Sequence, residues 1–191
     1  MSTPFTIRWH SRAGQGAITV SSALAKILGE NGKFVQSFPV FGAEKRGAPV
    51  VVFNRISDEK INDVSHPTIL NSIILLDTSL VSSGEISVKR VLSGLTPSGF
   101  FLANTSQTSL RIGKDLRNIF AINASKIANA EIGRDIPNVP ILGAFLKITK
   151  FMNLDKFSSC LGEYLAQNLS AKIVTGNLRA FERGFHEVQK I

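Results

Sequence analysis

Short, continuous runs of hydrophobic residues alternate with polar segments that contain glycine, and these runs predict β-strands. The most continuous of them, such as residues 50–53, are typical of strands that are covered on both faces. In the first run, Ile7 and Trp9 lie two positions apart and define the inward face of the strand. The predicted strands cover residues 6–10, 34–37, 50–53, 73–77, 99–104 and 118–122.

Other hydrophobic residues recur at intervals of three and four positions, which is the spacing of one face of an α-helix. One such stripe begins after Gly16 and stops at Asn31 and Gly32, a pair that favours a helix C-terminus. Asn153 is a predicted N-cap near the start of a region that has a helical pattern to the end of the chain. The predicted helices cover residues 17–30, 123–130, part of 138–151, and 152–191.

Strands that alternate with helices in this way indicate an α/β fold. We expect a mostly parallel sheet with helices on both faces and a helical C-terminal tail. The sequence contains no internal repeat, no low-complexity segment and no linker. Its 191 residues suffice for one hydrophobic core, so we interpret residues 1–191 as a single domain.

The composition restricts the classes of protein that this chain can represent. Hydrophobic residues make up 43% and charged residues 19%, as in an ordinary globular protein. No apolar run is long enough for a transmembrane helix, and the first residues lack the pattern of a secretory signal. The single cysteine, Cys160, excludes an internal disulfide and any cysteine-based zinc or iron–sulfur site, and its helical spacing favours a small core residue. We therefore expect a cytoplasmic location.

The formal net charge of +8 favours an acidic partner, such as a nucleic acid, an acidic subunit or a phosphorylated ligand. The basic residues are spread along the chain, and the densest clusters, at residues 44–46 and 89–90, are short. No basic stripe alternates with aromatic residues, so the sequence disfavours nucleic-acid binding.

A segment with two glycines, residues 11–16, joins the first predicted strand to the first predicted helix. The N-terminus of such a helix presents free N–H groups to an anion, and Gly14 and Gly16 let a phosphate approach the backbone. Arg12 adds a positive charge. The segment lacks the pattern of a Walker phosphate loop, and Thr19 occupies the position of the third glycine or alanine of the dinucleotide fingerprint. An anion site and a plain strand-to-helix turn are therefore both compatible with this segment, which we call the glycine loop.

A second segment, residues 37–48, combines Phe38, Phe41 and two glycines with a charged triplet. A loop that only connected two strands would need neither the aromatic residues nor the charges. One interpretation is a structured connection whose phenylalanines fill the core. The alternative is a functional loop in which the aromatic rings anchor the backbone while Glu44 and Arg46 face a ligand or another subunit.

The titratable residues form no recognisable catalytic or metal-binding pattern. His10 ends a strand, and we interpret it as a structural or hydrogen-bonding residue rather than an acid–base group. Asp77 follows a strand, in the region where open α/β sheets bind ligands, but it equally suits a turn. The three histidines are scattered and no spaced carboxylates accompany them, so the sequence predicts no metal site.

Residues 10–16 read His-Ser-Arg-Ala-Gly-Gln-Gly, and residues 40–49 read Val-Phe-Gly-Ala-Glu-Lys-Arg-Gly-Ala-Pro. Together they resemble the two signatures of the gamma subunits, or gamma domains, of the 2-oxoacid:ferredoxin oxidoreductases, most closely the pyruvate type. The family's first signature is like His-Gly-Arg-Gly-Gly-Gln-Gly, so Ser11 and Ala13 replace two of its glycines. The second is like Phe-Phe-Gly-x-Glu-x-Arg-Gly-x-Pro and is matched almost completely. The resemblance covers essentially the whole chain, and weaker similarities lie at residues 138–145 and 177–184.

The resemblance implies a complex that oxidatively decarboxylates pyruvate or a related 2-oxoacid, forms an acyl-coenzyme A and passes electrons to ferredoxin. It implies partner subunits of the alpha, beta and delta types, with thiamine diphosphate, magnesium and iron–sulfur clusters bound outside this chain. The present chain is expected to bind none of these cofactors alone and to be inactive without its partners. By the same resemblance, the gamma domain packs near the active site and contributes to the coenzyme A side.

From this resemblance we expect contacts with coenzyme A phosphates from Arg12, Gly14, Gln15 and Gly16. We expect an active-site or subunit boundary at Phe41, Gly42, Glu44, Arg46 and Gly47. No residue is assigned a covalent catalytic role. Two alternatives stay open, namely a non-catalytic assembly subunit of the same complex and, with less support, a basic nucleic-acid-binding domain.

Overall fold

The computed structural model of the chain describes residues 3–40, 47–107, 112 and 116–191. Strands and helices alternate along these ranges, as the hydrophobic pattern predicts. The strands are β1 (Phe5–Arg12), β2 (Phe34–Val40), β3 (Pro49–Ser57), β4 (Leu70–Leu75), β5 (Leu95–Asn104), β6 (Ile119–Ile122) and β7 (Gln189–Lys190). The helices are α1 (Ala17–Glu30), α2 (Ser79–Ser82), α3 (Val88–Leu92), α4 (Ala124–Ile132), α5 (Asn138–Thr149), α6 (Leu154–Ala166) and α7 (Ala171–Glu187).

The strands form one sheet in the order β2-β3-β1-β4-β5-β6-β7. Strands β1, β4, β5 and β6 are parallel neighbours, whereas β3 is antiparallel to both β1 and β2, and β7 is antiparallel to β6. Five of the seven described strands therefore point in one direction, which confirms the predicted mostly parallel sheet. The segments that follow β1, β4, β5 and β6 meet at one edge of the sheet, where open α/β folds bind ligands.

The two faces of the sheet are covered unequally. The long helices α1, α4, α5, α6 and α7 contribute to the core on the face that contains Ile7 and Trp9, both of which are fully buried. The opposite face carries Phe53, Leu75 and Phe101 and is covered by the short helices α2 and α3 together with connecting segments. The prediction of helices on both faces is confirmed, and so is the inward face assigned to Ile7 and Trp9.

Helices α5 and α7 cross with their backbones in close contact, because each has a glycine at the crossing. A Cβ on Gly143 would overlap the carbonyl oxygen of Phe181, and a Cβ on Gly184 would overlap the carbonyl oxygen of Pro140. The two segments with weaker family similarity are therefore packed against each other.

Several helix ends follow directly from the sequence. Helix α1 stops at Asn31, and Gly32 follows with a φ of +89°, a left-handed conformation that favours glycine. Helix α6 is capped by Asn153, whose Oδ1 accepts a hydrogen bond from the backbone N–H of Asp155 at 2.9 Å. On α6, Cys160 is half-buried and packs against the core. Among the described residues, no helix is both long and apolar enough to cross a membrane.

Other element boundaries differ from the prediction. Strand β2 continues past Ser37 to Val40, because all seven of its residues pair with β3. The C-terminal region is not helical throughout, since the two residues of β7 pair with β6 and the N–H of Ile191 bonds to the carbonyl oxygen of Ile119. So short a strand has no detectable period in sequence. For the same reason, the four and five residues of α2 and α3 gave no helical signal.

Candidate functional site

The glycine loop joins β1 to α1 and has a backbone that requires glycine at two positions. Gly14 and Gly16 have φ angles of +98° and +78°, which side chains with a Cβ rarely adopt. Gly16 is also the N-cap of α1, and a Cβ there would overlap the side-chain amide of Asn138. Both glycines are therefore fixed by geometry as well as by family resemblance.

The first turn of α1 faces a cleft of about 250 Å³. The backbone N–H groups of Ala17, Ile18 and Thr19 have no partner within a helix, because the first turn lacks preceding carbonyl groups. No side chain of the described residues caps this helix. The cleft thus combines free donors with the positive end of the helix dipole, as anion sites do. Its lining residues are Ser11, Arg12, Ala13, Gly14, Gly16, Ala17, Ile18, Thr19 and Val50.

Arg12 is held by acidic groups of the neighbouring segments and does not extend freely into the cleft. Its Nη2 lies 2.8 Å from a carboxylate oxygen of Glu85, and its Nε lies 3.3 Å from one of Asp77. Its Nη1 donates to the carbonyl oxygen of Gly47 at 3.0 Å. These contacts pair the charge of Arg12 with two carboxylates and tie the glycine loop to the segments around Gly47 and Asp77.

Gln15 completes the same network from within the loop. Its Oε1 accepts a hydrogen bond from the backbone N–H of Arg12 at 2.8 Å, and its Nε2 donates to Asp77 at 2.8 Å. Burial raises the pKa of Asp77, but hydrogen bonds from Ser79 and Gln15 and the charge of Arg12 outweigh burial, so that pKa lies below its ordinary value. Asp77 is therefore ionised at neutral pH, and it links the loop to the segment after β4.

The C-terminal end of the segment at residues 37–48 contacts the glycine loop. The backbone N–H of Ala13 donates to the carbonyl oxygen of Ala48 at 3.0 Å, next to the bond between Arg12 and Gly47. Gly47 has a φ of +81°, which favours glycine. At the other end of the segment, the ring of Phe38 stacks on Phe53 with 5.6 Å between centroids, as expected for a core residue. The remaining predicted boundary residues, which lie outside the described residues, are Phe41, Gly42, Glu44 and Arg46.

Asn138 is a site residue that the sequence did not reveal. It is buried at the start of α5, and its Nδ2 donates to the carbonyl oxygen of Gly16 at 3.2 Å. The two residues are 122 positions apart, so no local pattern connects them. The only sequence signal was that Asn138 begins one of the segments with weaker family similarity.

His10 is buried on the sheet face opposite α1. Burial, followed by the charges of Arg8 and Arg90, lowers its pKa to about 3, so the imidazole is neutral at pH 7. Neither ring nitrogen has a hydrogen-bond partner among the described residues. Of the two roles that the sequence left open, a structural role therefore fits His10 better than a hydrogen-bonding one within the described part of the chain.

A second cleft, of about 340 Å³, lies at the carboxyl ends of β4, β5 and β6. Its polar lining is partly engaged in internal bonds, since Asn104 Nδ2 donates to the Leu76 carbonyl oxygen and to Ser125 Oγ, at 2.9 and 3.0 Å. Asp77 lines this cleft and connects it to the glycine loop through Gln15. In the ranges that the structure describes, no three His, Cys, Asp or Glu side chains are grouped so that they could hold a metal ion.

Comparison with known proteins relates this arrangement to one family. A sequence profile described as pyruvate ferredoxin/flavodoxin oxidoreductase matches residues 6–187. The chain belongs to this oxidoreductase family. A relative within it, pyruvate synthase subunit PorC of Thermotoga maritima, is 36% identical over 97% of this chain and 95% of its own length. The pyruvate/ketoisovalerate oxidoreductases common subunit gamma of Thermococcus litoralis is 32% identical over 93% of this chain and 95% of its own.

The fold of the oxidoreductase-family chain agrees with that of a solved relative. The crystal structure of pyruvate oxidoreductase subunit PORC from Thermotoga maritima has a TM-score of 0.82 and 34% identity, with 99% of each chain covered. The chain is accordingly a gamma-type subunit of a 2-oxoacid:ferredoxin oxidoreductase. These matches confirm the family and the enzyme class that the two signature segments predicted, and the α/β fold that the alternation of strands and helices predicted.

Proposed function

We propose that this gamma-type subunit binds the phosphate end of coenzyme A in a cytoplasmic complex that oxidises pyruvate or a related 2-oxoacid and reduces ferredoxin. The proposal rests on the uncapped first turn of α1, whose free N–H groups face a cleft large enough for a phosphate group. Phosphate groups bind readily at such helix N-termini, because the donors and the helix dipole both favour negative charge.

The residues of the glycine loop divide into two roles under this proposal. Gly14 lets the phosphate approach the backbone, since the space that a Cβ would occupy there is open, whereas Gly16 begins α1 and leaves room for the side chain of Asn138. Arg12 and Gln15 hold the loop in place through Asp77 and do not supply a free charge to the ligand. The contacts that the sequence assigned to Arg12 and Gln15 thus become indirect, and their removal should weaken binding by disordering the loop.

The other chemistry of the reaction belongs to partner subunits of the alpha, beta and delta types in this proposal. When bound there, thiamine diphosphate with magnesium supplies the carbanion chemistry, and iron–sulfur clusters carry the electrons to ferredoxin. The present chain binds and orients coenzyme A from its phosphate end. The segment at residues 40–48 would form the boundary with the active site or a neighbouring subunit, because its described end already contacts the glycine loop through Gly47 and Ala48.

The proposal is tested by Gly14→Ala in the assembled complex, with Gly32→Ala as a matched control. Both glycines have a left-handed φ and no atom within 4 Å of an added Cβ, so both substitutions impose similar backbone strain. Gly32 follows the opposite end of α1, away from the cleft. We expect Gly14→Ala to raise the KM for coenzyme A about tenfold, the effect of losing roughly 1.4 kcal/mol of binding energy. The KM for the 2-oxoacid should stay constant, and Gly32→Ala should change neither KM.

Assembly of each variant is checked by size-exclusion chromatography, which separates the proposal from its alternative. If this chain only holds the complex together, Gly14→Ala changes the amount of complex but leaves the KM for coenzyme A in the intact complex unchanged. That result rejects a coenzyme A contact at the glycine loop. If Arg12→Ala leaves the KM for coenzyme A in the intact complex unchanged, the positioning role of Arg12 is rejected, but the coenzyme A contact at the glycine loop is not.

A further inference from the structure

The floor of the cleft contains a polar group that nothing in the described structure satisfies. Ser11 is only 1% exposed, and its Oγ has no hydrogen-bond partner among the described residues. Ser11 lines the cleft together with Val50, its neighbour on β3. A buried hydroxyl without a partner costs free energy, and such groups are therefore rare in folded proteins.

Strand geometry places Ser11 on the face of the sheet that α1 covers. Successive side chains of a strand alternate between its two faces, so Ser11 shares the face of Ile7 and Trp9. That face packs against α1 through Ala17 and Val20. Ser11 therefore lies on the side of the sheet that α1 covers, and it lines the same cleft as Ala17, Ile18 and Thr19 of the first turn.

The side chain of Ser11 supplies a hydroxyl in the same cleft as the free backbone N–H groups of α1. A glycine or an alanine at this position would have no side-chain group that could donate a hydrogen bond. A hydroxyl among backbone N–H groups is suited to an anionic oxygen acceptor, because it donates one hydrogen bond without adding charge.

We propose that Ser11 Oγ donates a hydrogen bond to a phosphate group of coenzyme A bound at the first turn of α1. This inference rests on the proposed function, since it assumes that coenzyme A occupies the cleft. Ser11 is then a ligand-binding residue whose hydroxyl strengthens coenzyme A binding.

The test measures the dissociation constant of coenzyme A by calorimetric titration of the assembled complex, for the wild type, Ser11→Ala and Ser11→Gly. Both variants remove the hydroxyl without adding volume. Hydrogen bonds to charged groups are stronger than neutral ones, so we expect a loss of affinity of about tenfold in each variant. Without ligand, Ser11→Ala should unfold at the same or a higher urea concentration than the wild type, because an unsatisfied group has been removed.

Titration with dephospho-coenzyme A, which lacks the 3′-phosphate, identifies the group that Ser11 contacts. If the effect of Ser11→Ala disappears with this ligand, the contact is to the 3′-phosphate, and if the effect persists, the contact is to the diphosphate. Unchanged affinity for coenzyme A in both Ser11 variants overturns the inference. If the Ser11 variants have no effect but Gly14→Ala still weakens coenzyme A binding, only the Ser11 inference fails and the proposed function stands. If Gly14→Ala has no effect either, the inference and the proposed function both fail.

Discussion

Replacing Gly184 with alanine should destabilise the protein, because the backbones of α5 and α7 touch at this residue. A Cβ on Gly184 would overlap the carbonyl oxygen of Pro140 and would lie 2.8 Å from the Cα of the same residue. Both obstacles are backbone atoms, so no side-chain rotation can remove the overlap. The helices must move apart, or the last turns of α7 must bend.

The size of the effect follows from two opposing contributions. Separating the helices on the order of 1 Å loses a quarter to a half of the dispersion attraction between facing atoms, and overpacked cores typically lose about 1–3 kcal/mol. Alanine is a better helix former than glycine by about 1 kcal/mol, and in this position part of that gain offsets the loss. We expect a net loss of about 2 kcal/mol in the free energy of unfolding. For a domain of this size, that loss lowers the midpoint of thermal unfolding by roughly 4–8 °C.

The assay is urea unfolding of the purified chain, monitored by circular dichroism. Gly29→Ala is the matched control, since Gly29 lies within α1, is exposed, and has no atom within 4 Å of an added Cβ. It should gain up to about 1 kcal/mol, because only helix propensity changes. The stability of Gly162→Ala should lie between those of Gly184→Ala and Gly29→Ala, since the nearest obstacle to a Cβ at Gly162 is a movable methyl group of Leu178 at 3.3 Å. The close backbone contact is refuted if Gly184→Ala is as stable as Gly29→Ala.

Two further substitutions address buried polar groups. The folded-state pKa of His10, about 3, lies below its ordinary value of 6.5, so the unfolded chain takes up a proton first as the pH falls, and stability is lost across that window. His10→Leu should reduce this loss between pH 7 and pH 5 by up to about 1.4 kcal/mol per pH unit, as measured by urea unfolding; equal slopes for wild type and His10→Leu contradict the argument. Asn138→Ala removes the donor to the Gly16 carbonyl oxygen and should lower the free energy of unfolding by about 1 kcal/mol. In the assembled complex it should also raise the KM for coenzyme A selectively, and an unchanged KM would show that the bond to Gly16 does not shape the cleft.

Most of the fold was predictable, because its elements are encoded by local periodicity. The strands that begin near Phe5, Pro49 and Leu70 are long enough for a hydrophobic pattern to appear, and α1 ends at the pair of residues that favours a helix C-terminus. The elements that the sequence did not predict correctly are either short or determined by strand pairing. Strand β2 reaches Val40 because β3 supplies partners along its length, and β7 exists only because β6 has a free edge beside it.

The candidate site illustrates a different limit, which concerns the use of a charge rather than its presence. The sequence places Arg12 beside two glycines, and a free guanidinium there would be expected to bind phosphate. In the folded chain the partners of Arg12 are Asp77 and Glu85. Gln15 donates to the carboxylate of Asp77, although the two residues are 62 positions apart. Such pairs depend on the parallel arrangement of β1 and β4, which brings the segments after both strands to one edge of the sheet. Because two carboxylates already pair with Arg12, the free donors of the cleft include the backbone of α1 and the hydroxyl of Ser11, so affinity for a phosphate should depend more on these uncharged groups than on the arginine that the motif emphasises.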